Sequence, residues 1–203
     1  MLYIITALKS EAQAYVDKYR LSKSKLGNFL LFSNENIFLI VSGMGVLNAR
    51  LATQTLINQY DITDDDIYLN IGICGANAQY EIGSLLEIGS ISYDGIRYVF
   101  QDSLEEIKCV DEEVSEELAK VVDMESYGFY DAVIHNPAIK NFHIFKVVSD
   151  HFQPERVTKD GTKKLISKRI DDINRVINGA WTLVQLKLST LSYEKNETKV
   201  SSP

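Results

Sequence analysis

Apolar residues along this chain fall into short runs separated by polar turns. Residues 2–7 are a mostly apolar run that gives way to Lys9-Ser10-Glu11. Ala12, Tyr15, Val16 and Tyr19 follow at helical spacing, so the opening reads as strand, short turn and helix. Residues 29–33 and 36–42 read as two strands around Asn34-Glu35, and the second ends in Ser42-Gly43-Met44-Gly45. A helix over about 46–60 follows, with Leu47, Leu51, Leu56 and Ile57 as its expected apolar face. Residues 67–76 form an apolar strand that runs into small residues, and further strands are expected at 84–91 and around Tyr98-Val99-Phe100. Residues 105–120 are charged, with Val114, Leu118 and Val121 facing inward, and read as a surface helix or a loop.

Val121-Val122 then lead into Asp123-Met124-Glu125-Ser126. Tyr127, Tyr130 and Ile134 keep helical spacing beyond that point, as do Phe129 and Val133. Asp123 is placed to cap this helix, because a short carboxylate accepts from free first-turn amides. Glu125 is expected in the first turn, where the helix dipole favours negative charge. Pro137 ends the helix. Residues 142–148 form another strand, closed by Ser149-Asp150. Residues 158–187 read as one or two long helices with Leu165, Ile166, Ile170, Ile173, Val176, Ile177, Trp181 and Val184 inside. Strands alternating with helices over short connections predict an α/β domain, its central mixed sheet flanked by helices. That domain is expected over 1–191, with a polar, fraying tail at 192–203.

Composition narrows the classes. With 203 residues and 45% hydrophobic content, the chain can bury a core. No apolar run reaches the roughly 20 residues that span a bilayer, so no membrane partner is expected. The first residues have no basic segment ahead of them and read as a strand rather than a secretion signal. Cys74 and Cys109 are the only cysteines and form no CxxC pair, which points to a reducing cytoplasm. A net charge of −7 argues against a nucleic-acid partner and leaves a small nucleoside open.

Several candidate motifs carry little. The GxG of Gly43-Met44-Gly45 extends to neither a dinucleotide fingerprint nor a P-loop. Asp64-Asp65-Asp66 has no ligand-spaced partner and reads as a solvated loop rather than a metal site. His135, His143 and His151 recur every eight residues, which suits neither one helix face nor one metal. Cys74 lies by a Gly-rich turn with no histidine near it in sequence, so a small buried residue fits better than a nucleophile. Tyr127, Phe129 and Tyr130 read as core ahead of a base-stacking platform.

Three carboxylates stand out by position. Glu11 and Asp150 each follow a strand, and Glu125 follows the apolar pair before a helix. Open α/β sheets bind ligands at such strand ends. Taken singly, Glu11 and Glu125 have the plainer reading of favouring a helix start. Together in one cleft, carboxylates push each other's pKa apart, which suits acid/base hydrolysis.

Five stretches carry a resemblance: Ile5-Thr6-Ala7 through Glu11, Val41-Ser42-Gly43-Met44-Gly45 with Asn48-Ala49, Asn70-Ile71-Gly72-Ile73-Cys74-Gly75, Val122-Asp123-Met124-Glu125-Ser126, and Val148-Ser149-Asp150. In this order the chain resembles the purine nucleoside phosphorylase and nucleosidase superfamily, closest to the 5′-methylthioadenosine/S-adenosylhomocysteine nucleosidases. The resemblance implies a single-domain nucleoside phosphorylase-like fold. It also implies hydrolysis of the N-glycosidic bond of a purine nucleoside or thio-nucleoside, without metal or organic cofactor, by a homodimer.

Residue roles follow from the same resemblance. Asp150 matches the acid at N7 of the departing purine, and Glu11 matches the base that positions water. Glu125 matches the carboxylate on the ribose hydroxyls, and Met124 packs on the sugar. Ser149, Met44, Ile73 and Cys74 complete the expected substrate contacts. Ile73 and Cys74 stand where related nucleosidases usually carry Ser or Thr. The Arg and Ser with which phosphorylases hold phosphate are missing from 70–75, leaving Arg50 as a distant cation. A phosphate-dependent phosphorylase is therefore the second reading. The stretch 83–123 is shorter than in typical members, where it supplies pocket wall and dimer contact. A non-catalytic nucleoside-binding protein is the reading from another class. Lys146, four residues before Asp150 on the same strand, is expected to face the same side and support a carboxylate or a water.

Overall fold

The computed structural model describes residues 1–197, with side-chain surroundings through Gly179. Its elements, in order, are β1 (Leu2–Thr6), α1 (Lys9–Tyr19), β2 (Ser22–Leu26), β3 (Phe29–Ser33), β4 (Ile37–Val41), α2 (Val46–Gln59) and β5 (Ile67–Ala76). Then come β6 (Leu85–Tyr93), β7 (Ile96–Val99), β8 (Glu105–Cys109), β9 (Val121–Asp123), α3 (Ser126–Ile134), β10 (Asn141–Asp150) and α4 (Lys159–Glu197). The four expected central strands lie side by side in the order β4, β1, β5, β10, all parallel. β1 and β5 sit inside this row, so nearly all of their residues are buried and most are apolar. Antiparallel pairs β2–β3 and β3–β4 extend one side, which makes the sheet mixed.

The other side does not remain an open layer. β10 pairs with β5 and with β6, β6 with β8, β8 with β9, and β9 with β5. Five strands thus close into a ring, where the sequence pattern predicts a plain sheet between helices. A ring closes through long-range pairings that no local period records.

Other differences have local causes. β2 is a Ser-Lys-Ser-Lys edge strand, mostly exposed, with no apolar alternation to announce it. The charged segment opens as a strand, β8, with Ile107 and Cys109 buried between outward charged residues. Its Leu118 is half-exposed rather than inward. On α2 the buried positions are Ala49, Ala52, Thr53, Leu56 and Ile57, while Leu47 and Leu51 face out. The reason is a close helix crossing: a Cβ added at Gly128 of α3 would lie 2.0 Å from the carbonyl oxygen of Val46. Backbones that near one another favour small inward residues over leucine. In the acidic turn, Asp66 is buried, accepting the Thr63 amide at 2.8 Å and facing the Met1 amine at 2.5 Å, whereas Asp64 and Asp65 are exposed.

Met1–Lys168 groups as one compact unit, and residues from Arg169 onward as a second. Within the second, α4 continues with Asp172 held by Arg169 at 3.0 Å and by Arg175. Ile166, Ile170, Ile173 and Ile177 are buried as expected, while the side chains of Trp181 and Val184 lie outside the described residues. The helix includes 192–197 of the expected tail, and 198–203 lie outside the described residues. No described helix is long and apolar enough to cross a membrane.

The crossing of α2 and α3 generates a test. Gly128→Ala forces the two backbones apart, and overpacking of this kind costs about 1–3 kcal/mol. The expected result is a lower denaturant midpoint at unchanged slope; an unchanged midpoint would show that the helices separate freely.

Candidate active site

The chain leaves β1 and turns directly into α1, which puts Glu11 in the first helical turn with its side chain folded back over the turn. Oε2 accepts the amides of Ala7 and Leu8 at 2.9 and 2.8 Å, and Oε1 accepts the Ile73 amide at 2.9 Å. Leu8 immediately precedes α1, so Glu11 reaches back to hold the start of its own helix, as the helix-start reading expects. Burial raises the Glu11 pKa, and the three amides with Lys146 offset this only in part. Gly72 makes the room: a Cβ there would lie 3.0 Å from Glu11 Oε1 and 3.4 Å from Lys146 Nζ.

Asp123 caps α3 as expected. Its Oδ2 accepts the amides of Ser126 at 2.9 Å and Glu125 at 3.3 Å, and its Oδ1 accepts the Ser126 hydroxyl at 2.6 Å. Glu125 differs from its expected first-turn place. It precedes α3, and its Oε1 accepts the Gly45 amide at 2.9 Å, across from the start of α2. Gly45 has φ 98°, a left-handed backbone that glycine adopts without a Cβ clash. Burial raises the Glu125 pKa to about 7, with Asp123 and Glu11 adding to the rise against Lys146 and the Gly45 amide.

Lys146 reaches up from β10 between these groups. It is 1% exposed, and its Nζ lies 2.7 Å from Asp123 Oδ2. Burial alone would lower its pKa, but Asp123, Glu125 and Glu11 outweigh that and hold the ammonium above its ordinary range. Lys146 thus supports a carboxylate, as expected, and that carboxylate is Asp123. β10 is irregular against β5 between Val148 and Asp150, so strict alternation does not carry from Lys146 to Asp150. Asp150 Oδ1 accepts the Ser149 hydroxyl at 2.5 Å, and Oδ2 accepts the Gln153 amide at 2.8 Å. Phe152 follows with φ 56° and a buried ring; a Cβ on Gly75 would meet it at 3.7 Å. Such a backbone in a bulky residue costs on the order of 1–3 kcal/mol and is common at binding sites.

These groups surround one cavity of about 270 Å³. Glu11, Met44, Ile73 and Cys74 line it from the side of β1, β5 and the turn after β4, and Met124, Glu125, Ser149 and Asp150 from the β9 and β10 side. All the residues singled out in the sequence for catalysis or substrate are therefore together. Sequence reasoning missed Phe152, Val157 and the trio Val110, Glu113 and Val114, which also line the cavity. They lie in irregular segments after β8 and β10, where no periodicity exists, and only their place after a strand end signals them. Cys74 is a buried free thiol whose pKa burial raises, so it is not poised as a nucleophile. Arg50 is taken by Asp131 at 2.8 Å. His143 binds Glu87 at 2.9 Å, His151 the Ala76 carbonyl at 2.9 Å, and His135 the Asp131 carbonyl at 2.7 Å, so the three histidines have separate partners. Phe129 and Tyr130 are buried in the core, and Tyr127 stacks on Tyr93 at 4.3 Å; none of the three lines the cavity.

Glu125 generates a pH test. Its folded pKa lies above the unfolded value of 4.5, so the unfolded chain releases this proton first as pH rises. Its contribution to stability is full below about 4.5 and is lost as pH climbs towards 7. Subtracting the stability of Glu125→Gln from that of the wild type should give a difference that falls across this window. A flat difference in denaturation experiments would refute the assignment.

No protein-family model matches the sequence, and no curated protein does. Solved structures do. A Francisella philomiragia protein assigned as a 5′-methylthioadenosine/S-adenosylhomocysteine nucleosidase superposes with TM-score 0.71 at 13% identity, over 87% of this chain and 98% of that one. The corresponding nucleosidase of Neisseria meningitidis, solved with methylthio-immucillin-A, gives 0.64 at 15% identity over 84% and 98%. The futalosine hydrolase of Helicobacter pylori gives 0.66 at 15% identity over 84% and 97%. The ring of five strands and the row of parallel strands beside it are thus the fold seen in these solved nucleosidases and in the futalosine hydrolase.

Proposed function

We propose that this chain hydrolyses the N-glycosidic bond of a purine nucleoside or thio-nucleoside and releases the free base. The observation that carries this reading is the meeting of Glu11, Glu125 and Asp150 around one cavity. Breaking the bond builds positive charge on the ribose and negative charge on the purine. Glu125 accepts from the ribose hydroxyls and, with Glu11, stabilises the positive sugar, while Met124 packs against it. Asp150 serves the purine N7, delivering a proton as the C1′–N9 bond breaks. Glu11 takes a proton from water, and the water oxygen bonds to C1′. A carboxylate whose pKa burial has raised is a stronger base than a solvated one, which suits Glu11 to this step. Ser149 holds the Asp150 carboxyl in place, and Met44, Ile73 and Cys74 wall the substrate.

Charge favours water over phosphate as nucleophile. The cavity is lined by carboxylates and, among the described residues, by no Lys, Arg or His side chain. Lys146 is committed to Asp123, and Arg50 to Asp131. A phosphate dianion there would face like charge with no free cation. The complete trio also speaks against a merely binding protein. The cysteines remain buried free thiols, in keeping with a cytoplasmic place of action.

A homodimer completes the reading. Met44, just before α2, and Leu47 and Leu51 in its first turns are 51%, 64% and 44% exposed, and Met44 also lines the cavity. A second copy laid on this face would cover the leucines and close the cavity wall.

Two measurements test the proposal. Purine release from a small nucleoside panel should proceed without phosphate and yield free ribose, and Asp150→Asn should slow it about 10²–10⁴-fold. Strict phosphate dependence with ribose 1-phosphate as product, or full activity in Asp150→Asn, would refute it. For the dimer, sedimentation should find a dimer that Leu47→Glu converts to monomer; a monomeric wild type ends that part of the reading.

A further inference from the structure

Five carboxylates line the cavity: Glu11, Glu113, Asp123, Glu125 and Asp150. Four are engaged by the protein itself. Glu11 accepts three amides, Asp123 pairs with Lys146, Glu125 accepts the Gly45 amide, and Asp150 accepts the Ser149 hydroxyl and the Gln153 amide. Glu113 differs: among the described residues it accepts no hydrogen bond and forms no ion pair. The segment that carries it is nonetheless fixed. The Val110 amide donates to the Asp123 carbonyl at 2.8 Å, and the Asn77 amide to the Lys120 carbonyl at 2.9 Å. Acidic neighbours on the segment are used in holding it, Asp111 by the Tyr93 hydroxyl at 2.9 Å and Glu117 by the Asn77 side-chain amide at 3.1 Å. Val110 and Val114, on either side of Glu113 in sequence, also line the cavity. An unengaged carboxylate is thus held at a cavity wall beside apolar surface.

We propose that Glu113 is a specificity-determining residue that accepts a hydrogen bond from an amino group of the substrate. This rests on the nucleosidase reading above and deepens it. The carboxylate has only acceptors to offer, so it selects a donor and repels a ligand phosphate or carboxylate. Two parts of a nucleoside supply such a donor: an exocyclic amine on the purine, or an ammonium on the substituent at the 5′ carbon. Both present N–H to an anion, and the test separates them.

Binding is measured by calorimetry with C-nucleosides, in which carbon replaces N9 so that nothing is hydrolysed. One pair differs by amino against oxo on the base. The other differs by the presence or absence of an ammonium on a thioether arm at the 5′ carbon. The wild type should favour the amino member of one pair, and Glu113→Gln should reduce that preference about tenfold, as expected for loss of a charged acceptor. Affinity for the member without the amine should change less than twofold. The pair that responds identifies the source of the donor. If both preferences stay within twofold of wild type while the ligands still bind, Glu113 is not the determinant, and the nucleosidase reading stands. If the wild type binds none of the four, that reading and this inference fall together.

Discussion

The buried pair of Lys146 and Asp123 is the interaction on which the site depends. An ammonium 1% exposed is stable only where carboxylates surround it, and here it bonds Asp123 at 2.7 Å with Glu11 and Glu125 acting on it from nearby. The same Asp123 oxygen that meets Lys146 also accepts the Glu125 amide and the first amide of α3, that of Ser126. One carboxylate therefore joins β10, β9 and the start of α3. Truncating either partner would leave a buried charge unpaired, a change that typically costs about 3–5 kcal/mol. Three acidic groups can crowd one cavity wall because this cation lies behind them.

Backbone amides do the finer positioning. Glu11 is fixed by Ala7, Leu8 and Ile73, and Glu125 by Gly45. Amides of strand ends and helix starts are rigid donors, since the elements they belong to are packed. Close approach at Gly72 and Gly128 brings those elements together, the first making room for Glu11 and Lys146 and the second for α2 against α3. The chemistry then follows from burial. Carboxylates removed from water hold their protons more tightly, and the nearby ammonium moderates this, so that Glu125 lies close to neutrality rather than far above it. Such groups exchange protons in the range where acid/base catalysis is useful.

Much of this was legible in the sequence, for a physical reason. The central strands are buried on both faces, so their apolar runs mark them without ambiguity, and helical spacing marks α1 and α3. Strand ends are where such sheets place ligands, which is how Glu11 and Asp150 stand out from position, whereas Ser149 entered as a candidate through the family resemblance. Asp123 is recognisable as a cap from its type and place. β2 and β8 are not, because one is an exposed polar edge and the other hides alternation inside a charged run. The apolar face of α2 misleads for a different reason: helical period locates a stripe of leucines, but the Gly128 crossing buries the small residues beside it.

What the sequence determined by itself was therefore the set of elements and the residues carrying the proposed chemistry. Tertiary structure alone decided how they meet. Ring closure through β10–β6 and β9–β5 joins segments distant in the chain, and no local pattern encodes a long-range pairing. Glu125 finds Gly45 across 80 positions of sequence. The partner of Lys146 turned on which side of an irregular strand its side chain emerges. Glu113 became part of the cavity only because a segment without periodicity is tied down at both ends. Periodicity reports which side of an element avoids water; where two elements touch is settled by the packing of the whole chain.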